Sequence, residues 1–558
     1  MWLEQCDSFA ELCRGYLPYY LLIFLPIFIA VSPVNPVMAS HELPVYRMQQ
    51  YDLHGVPHGC RSASILLEGR TINSWRTSRH CVIARMTDLN PDLYYSIRNK
   101  AGALIVMLPK DMKNITENER EHISMIEIAM LSGGESSIPI YFSPWNSNLE
   151  LILDDLENGI INDDKLTTAT SELQSLISSI SASGYQVIVN SGQPTIKNDI
   201  KIATIYGKLT GNGVEEKLPT IALVAHYDSS NIITELSSGA ESNASGVSML
   251  LELARIFSAL YSISKSRPQY NIVFVLSGGG KLNYYGSKKW LEDQFDGVEG
   301  SIIQDASYVI CMEAVSSTDN LYLHVSKPPK ENSFGNLFYK ELISVSETMS
   351  NIKIEGVHKK INLAEEILAW EHERYSIRRL PAVTLSSLKN YEDPRRNSIL
   401  DLINDDEIER IYKHTQIVAE SLARLLYNLN STQIFSSPIQ VSKESLNLWL
   451  NYLTSQSRSV QLLVDKNNPL INSLQEALSR YLNDVKIIFH SADKRDPEFV
   501  FYDITKTIAN VYSVKPAIFD LFLTIAIIVY LGMVYIIVHK FPVAYSLIAR
   551  MTMKNKVS

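Results

Sequence analysis

Cysteine is scarce in this chain, with five in 558 residues. Cys6 and Cys13 precede the first apolar run, which leaves Cys60, Cys81 and Cys311 for a folded part. Three thiols cannot build the framework of a disulfide-dense scaffold, although an oxidising compartment would allow a Cys60 to Cys81 bridge. Basic charge is short as well. Lysine and arginine total 51 against 60 aspartates and glutamates, a formal net charge of −9, which argues against a nucleic-acid partner. No internal repeat stands out. With 46% hydrophobic residues, the chain has enough apolar material for two or more packed domains.

Long uncharged runs occur near the two ends. The first, LPYYLLIFLPIFIAV over 17–31, is interrupted by Pro18 and Pro26 and followed by Val37-Met38-Ala39, a small-residue pattern of the kind signal peptidase accepts. A signal peptide over 1–39 is expected. Arg14 stands against Glu4, Asp7 and Glu11 in its leading segment, which keeps an uncleaved anchor as the alternative. The second run, LFLTIAIIVYLGMVYIIV over 521–538, has 18 residues and no charge, enough to span most of a hydrocarbon core of about 30 Å. It predicts a membrane helix over 516–540. The tail that follows, 541–558, is basic through Arg550, Lys554 and Lys556, with Lys540 at its border and no acidic residue, which places it in the cytosol. The large middle is then lumenal. Three sequons agree with that side and predict glycosylation at Asn114, Asn243 and Asn430.

Between the ends, strands and helices alternate. Apolar runs at 81–85, 103–108 and 138–142, with a helical segment at 117–131, predict a small βα lobe over 40–195; a Ser-rich helix is expected at 167–183. Over 196–430 the pattern gives strand 220–225, helix 245–261, strand 271–276, helix 282–293, strands 308–312 and 321–325, two helices and strand 381–385. Strands spaced by helices imply an α/β fold with a mostly parallel sheet covered by helices. Residues 431–515 read as mainly helical.

The strand at 220–225 ends in TIALVAHYDSS. A buried parallel strand would deliver His226 to the carboxyl edge of the sheet, where α/β folds gather ligands. Asp228 either orients a metal-binding imidazole or makes an ordinary strand-end hydrogen bond with it. The H-x-D motif alone does not decide. Downstream, GAESNASGVSMLLELAR over 239–255 is a Gly/Ser/Asn loop feeding a helix with an apolar face of Val247, Leu250, Leu251, Ala254 and Phe257. H-x-D followed by G-A-x-x-N-x-S-G resembles the M28 zinc aminopeptidases, and the lobe order resembles their noncatalytic relatives, nicastrin and nicalin.

That resemblance implies an aspartate bridging two zinc ions just before N-x-S-G, where this chain has Ser242. It implies a Glu-Glu pair after the next strand, one residue as general base and one as ligand. The corresponding turn, LSGGGKLNYYGS, offers Gly279 and Gly280, or Gly280 and Lys281 in the other register. Glycine accepts no proton, and an ammonium group repels a zinc ion. Glu313 stands where the family has Asp or Glu. The last family ligand, a histidine, should fall in LKNYEDPRRNSILD, which has none, and His372 comes too early. His226 and Glu313 survive, with Asp228 beside them, whereas a catalytic zinc needs three protein ligands and an open position. The six positions His226, Asp228, Ser242, Gly279, Gly280 and Glu313 therefore predict a degenerate site with no catalytic residue, metal or cofactor. Glu241 rotating inward is the one substitute ligand for a weak mononuclear site. A glycan on Asn243 would close the former cleft; the competing reading has Asn243 capping the helix that follows.

The stretches VYRMQQYDLHG, LELARIFSALYS, HVSKPPK, INLAEEILAWEHERYSIRRLPA, DVKIIFHSADKRDPEFVFYD and VKPAIFDL, in order between Val45 and Leu521, resemble the nicalin branch of this family rather than the nicastrin branch. That implies a noncatalytic, single-pass type I subunit of the endoplasmic-reticulum membrane. Its implied partners are a Nodal modulator-like protein and a small multipass membrane protein, at a ribosome-associated translocon that supports biogenesis of multipass membrane proteins. Two other readings remain, a metallopeptidase with a rearranged zinc site and a nicastrin-like substrate receptor of a protease complex.

Overall fold

A computed structural model of the protein describes residues 40–167, 184–214, 218–297, 301–304, 306–350, 352–430, 433–437, 439–514 and 517–554. The signal peptide expected over 1–39 and nearly all of the helix expected at 167–183 lie outside the described residues. The first lobe is a closed barrel with strand order β1 (Ser40–Arg47), β18 (Lys506–Val514), β8 (Gly184–Val189), β4 (Ile65–Thr71), β5 (His80–Arg85), β6 (Ala103–Met107) and β7 (Ile140–Ser143). β4 to β7 pair in parallel, and the apolar runs of β5, β6 and β7 are continuous because both of their faces are covered. One set of alternate side chains, including Ile83, Ile105, Val187 and Val511, packs with Leu149, Ile152 and Leu153 of α3 (Ser147–Thr167). The other set, including Val82, Leu104 and Val106, packs under α1 (Pro91–Lys100) and α2 (Glu117–Ser132). A capping box of Thr116 and Glu119 starts α2.

The second lobe is an eight-stranded sheet in the order β14 (Ile354–His358), β13 (Leu321–Val325), β15 (Ala382–Ser386), β12 (Ala306–Met312), β10 (Thr220–His226), β11 (Asn271–Ser277), β9 (Ile202–Leu209) and β16 (Asn483–His490). Four of its seven pairings are parallel, and β10 lies centrally between β11 and β12. One face is covered by α4 (Gly246–Tyr261), α6 (Phe334–Met349), α8 (Asp405–Tyr427), α9 (Lys443–Thr454) and α10 (Pro469–Ser479). The other is covered by α5 (Tyr285–Asp296) and α7 (His372–Ile377), which contribute Trp290 and Tyr375. A three-stranded sheet of β2 (Gln50–Leu53), β3 (Val56–Gly59) and β17 (Phe499–Phe501) lies beside them.

One expectation is corrected, and one question the sequence leaves open, whether Cys60 and Cys81 pair, is answered. Residues 431–515 are helical only in their first part; β16, β17 and β18 then join three different sheets. DVKIIFH and KTIANVYSV are edge or half-exposed strands whose partners lie far back in the chain, so local pattern alone gives them no sheet. The Cys60 to Cys81 bridge is absent. Cys60 packs in the cluster under α1 and α2 and its thiol donates to the Ser62 and Ile138 carbonyls, while Cys81 faces the barrel interior.

The apolar run near the end lies in α11 (Ala517–Lys554), where Leu523–Lys540 is long and apolar enough to cross a membrane. α11 runs on into the segment expected as a tail. Among the described residues, the other apolar helical stretch of that length, Ala240–Tyr261, is a core element.

The lobes are tied by the segment after β15. Glu127 of α2 accepts hydrogen bonds from the Ser398 hydroxyl (2.5 Å) and the Ile399 amide (2.8 Å), and Ile232, Ile233, Ile399 and Leu400 join the cluster under α1 and α2. Burial pushes the Glu127 carboxyl up to about 7, against the pull of both hydrogen bonds. A folded-state value above the unfolded one means that the native state holds the proton more tightly. Its stabilisation is complete below the ordinary glutamate range and is lost as pH rises through the folded value. Between about pH 5 and about pH 7.5 this carboxyl should cost the protein on the order of 2 kcal/mol. Glu127→Gln is expected to flatten that dependence in thermal unfolding of the full chain, whereas an unchanged slope would show that other groups set it.

Candidate functional site

β10, β11, β12 and β15 bring their carboxyl ends to one edge, and the six positions predicted from sequence gather there. His226 closes β10 and is fully buried. Its Nδ1 lies 3.6 Å from Glu371 Oε2 and its Nε2 4.0 Å from Glu313 Oε1, and neither ring nitrogen has a direct hydrogen bond. Asp228 does not serve the imidazole, by either expected route. Its two carboxylate oxygens accept the backbone amides of Gly280 and Lys281, each at 2.8 Å, so it shapes the turn after β11. The carboxylate beside His226 is instead Glu371, just before α7, whose Oε1 also accepts the Ser277 and Ser287 hydroxyls at 2.6 Å. Gly280 is forced by its neighbour, because a Cβ there would lie 2.3 Å from His226 Cγ. No carboxylate fits that position while the imidazole is in place. Gly279 takes φ +67°, a left-handed conformation suited to glycine.

Two cations of the chain occupy the site. Lys281 Nζ donates to Ser242 Oγ (2.6 Å) and to the Arg396 carbonyl (2.8 Å). Arg396 donates through Nε (3.0 Å) and Nη2 (2.5 Å) to Glu313 Oε1, and also to the Tyr284 hydroxyl and the carbonyls of Ala369 and Tyr391. Its guanidinium lies 4.5 Å from the centre of the Trp370 ring. Burial alone would raise the Glu313 carboxyl, but Arg396, His226 and Lys281 outweigh it and hold it down at about 2. Burial lowers Lys281 to about 8, with Glu313 opposing the fall and Arg396 adding to it. Ser242 and Glu313, the positions of an implied bridging residue and a surviving ligand, are thus each bonded to a side-chain cation. A zinc ion does not fit this set, since it would have to displace a like charge from both. Glu241 is no substitute ligand. Its carboxylate accepts the amides of Ser316 and Ser317 and the hydroxyls of Ser316 and Ser387, which turns it away. Asp401 accepts the amides of Glu241 and Ser242, and burial pushes its carboxyl up to about 6.

Sequence reasoning weighed Lys281 only as a repelling charge and missed Arg396, Glu371 and Asp401. Arg396 lies in LKNYEDPRRNSILD, the segment where the resemblance implies a histidine ligand, and it pairs with the retained acid Glu313. His372 is bound between Thr384 Oγ1 (2.9 Å) and Ser326 Oγ (3.0 Å).

Asn243 requires a correction. It is fully buried, its amide nitrogen donates to the His226 and Met312 carbonyls, and its oxygen accepts the Gly246 and Ala314 amides. A glycan needs a solvent-facing nitrogen, and this one is spent joining β10 and β12 to the start of α4. The capping alternative describes it better. Asn114 is exposed and donates to Asp111 at 2.7 Å. Asn430 is exposed, and the rest of its sequon lies outside the described residues.

Removing Arg396 should leave Glu313 buried and uncompensated. Arg396→Met is expected to cost about 3–5 kcal/mol, and Glu313→Gln in the same chain should recover much of it. Thermal unfolding of both single variants and the double variant reads the coupling; simple additivity would mean that the pair does not act as a unit.

Residues 204–359 match Peptidase family M28. Across 567 residues, 99% of this chain and 100% of the relative, the sequence is 41% identical to BOS complex subunit NCLN of Homo sapiens. It is 40% identical over 576 residues to BOS complex subunit ncln of Danio rerio, covering 99% of each chain. Nicalin of Caenorhabditis elegans is 27% identical over 549 residues, 93% of this chain and 94% of the relative. Among solved structures, the gamma-secretase component nicastrin superposes with a TM-score of 0.57 at 12% identity, over 84% of this chain and 99% of that one, a likeness of fold. Identity of this order from end to end, on a nicastrin-like two-lobe fold whose larger lobe carries the M28 match, makes the chain a member of the nicalin family.

Proposed function

We propose that this protein is a noncatalytic, single-pass subunit of a BOS-type complex in the endoplasmic-reticulum membrane, with its two lobes in the lumen and its C-terminus in the cytosol. The observation that carries the noncatalytic reading is the guanidinium of Arg396 on Glu313, with Lys281 on Ser242: the positions a peptidase would give to metal are held by fixed charges of the same sign. No general base stands at Gly279 or Gly280. Membership of a complex is supported by the full-length identity to proteins named BOS complex subunits, and the anchor by the apolar span in α11. On this reading the partners are a Nodal modulator-like protein and a small multipass membrane protein at a ribosome-associated translocon, and the assembly supports biogenesis of multipass membrane proteins.

The test is affinity purification of the full chain in mild detergent, with partner identification and metal analysis on one preparation. Recovery with a multipass membrane protein and ribosomal components, without stoichiometric zinc, is expected. Near-stoichiometric zinc with chelator-sensitive aminopeptidase activity would overturn the noncatalytic reading, and recovery with an intramembrane protease would turn it into a substrate receptor.

A further inference from the structure

The barrel has two rims, and strand directions assign what meets each. β18 reaches Val514 at one rim, and α11 begins at Ala517. Three residue steps span at most about 11 Å. The apolar span starts at Leu523, a further six helical steps or about 9 Å along the chain. This rim is thus held within about 20 Å of the hydrocarbon that α11 would enter, a distance that the headgroup layer partly fills. β1 begins at the same rim, with Ser40 opposite Tyr512, and so does β8, with Gly184 opposite Val514. β4 to β7, parallel to β18, end there. At the far rim β1 leads to β2, β8 leads to β9, and β18 is entered from β17. The chain's passages between barrel and peptidase-like lobe all lie on the side away from α11.

We infer that the barrel stands between the peptidase-like lobe and the bilayer, and that its carboxyl rim docks on a zwitterionic lipid headgroup surface. This rests on α11 as a membrane span. At the ends of β5 and β6 the rim opens a cavity of about 420 Å³ lined in part by Leu108, Pro109, Lys110 and Trp145. Lys110 is exposed with its Nζ 4.3 Å from the centre of the Trp145 ring, and Trp145 Nε1 donates to Glu150 at 2.7 Å. An indole with one polar edge and a lysine with a long apolar stem both suit the boundary between headgroup and acyl chain. The rim is not a basic patch. Arg85 is outnumbered by Asp154 (2.7 Å), Glu157 (3.2 Å) and Asp88 (3.6 Å), so this part of the rim carries an excess of acid, which an anionic lipid surface would repel and a zwitterionic one would not.

The test places one fluorophore on the full chain in zwitterionic nanodiscs carrying a headgroup-attached quencher. Cys6→Ser and Cys13→Ser remove the N-terminal thiols, and Cys60, Cys81 and Cys311 are buried. Probes at two exposed rim positions, Lys110→Cys and Asn148→Cys, are compared with Val56→Cys, which lies beyond the far end of β1, roughly 20 Å away along tilted strands. Quenching several-fold stronger at either rim position than at Val56 is expected, and if one rim variant fails to fold the other carries the comparison. A probe at Leu531→Cys, read with acyl-chain quenchers, reports whether α11 is inserted. Equal quenching at rim and reference with Leu531 in lipid would overturn the docking while leaving the anchor intact, and a Leu531 probe in water would remove the anchor and the docking together.

Discussion

The buried pair of Arg396 and Glu313 is the contact on which the carboxyl edge of the large sheet depends. A carboxylate at the end of a fully covered strand cannot keep its charge without a partner, and removing either member leaves the other stranded in a low-dielectric interior. Arg396 reaches that position because its segment is gripped from both sides. Glu127 of the barrel lobe holds Ser398 and Ile399, and Asp401 holds the amides of Glu241 and Ser242. One short segment thus fixes the guanidinium, the loop before α4 and the relation between the lobes.

A bound metal and a side-chain cation can each neutralise a buried carboxylate, but they differ in what they leave open. A metal with vacant coordination positions can receive a water or a carbonyl oxygen. A guanidinium whose donors are already taken by Glu313, Tyr284, Ala369 and Tyr391 offers no such position. The same surroundings explain Gly280, whose missing side chain gives the imidazole of His226 its place. His226 itself remains as a packed group between two acids.

Much of the large lobe was legible because its strands are apolar runs bounded by amphipathic helices, and those patterns are local. Strands at 220–226, 271–277 and 306–312 fall where periodicity put them. β9, β14, β16 and β18 did not show: β14 and β16 are edge strands with an exposed face and little apolar signal, and β9, β16 and β18 owe their places to partners distant in sequence. In the site, losses were readable residue by residue: Ser242, Gly279 and Gly280 lack the groups that chemistry would need. Replacements were harder to read. Arg396 and Asp401 come from a segment whose spacing to Glu313 is set only by the fold, and the burial of Asn243 could not be told from a loop of small polar residues.

The pairing of β1 with β18 also sets an order of assembly. Ser40 stands opposite Tyr512, so the first described strand of the barrel has no neighbour on that side until nearly the last residues before α11 have been made. All strands of the large sheet, the edge strand β16 included, are made earlier in synthesis. Such long-range closure is entropically slow, and until it occurs β1 and β8 each present a free edge to their surroundings. The small lobe, begun first, is therefore finished last, and a truncation between β16 and β18 would yield a chain with an open barrel beside a complete large sheet.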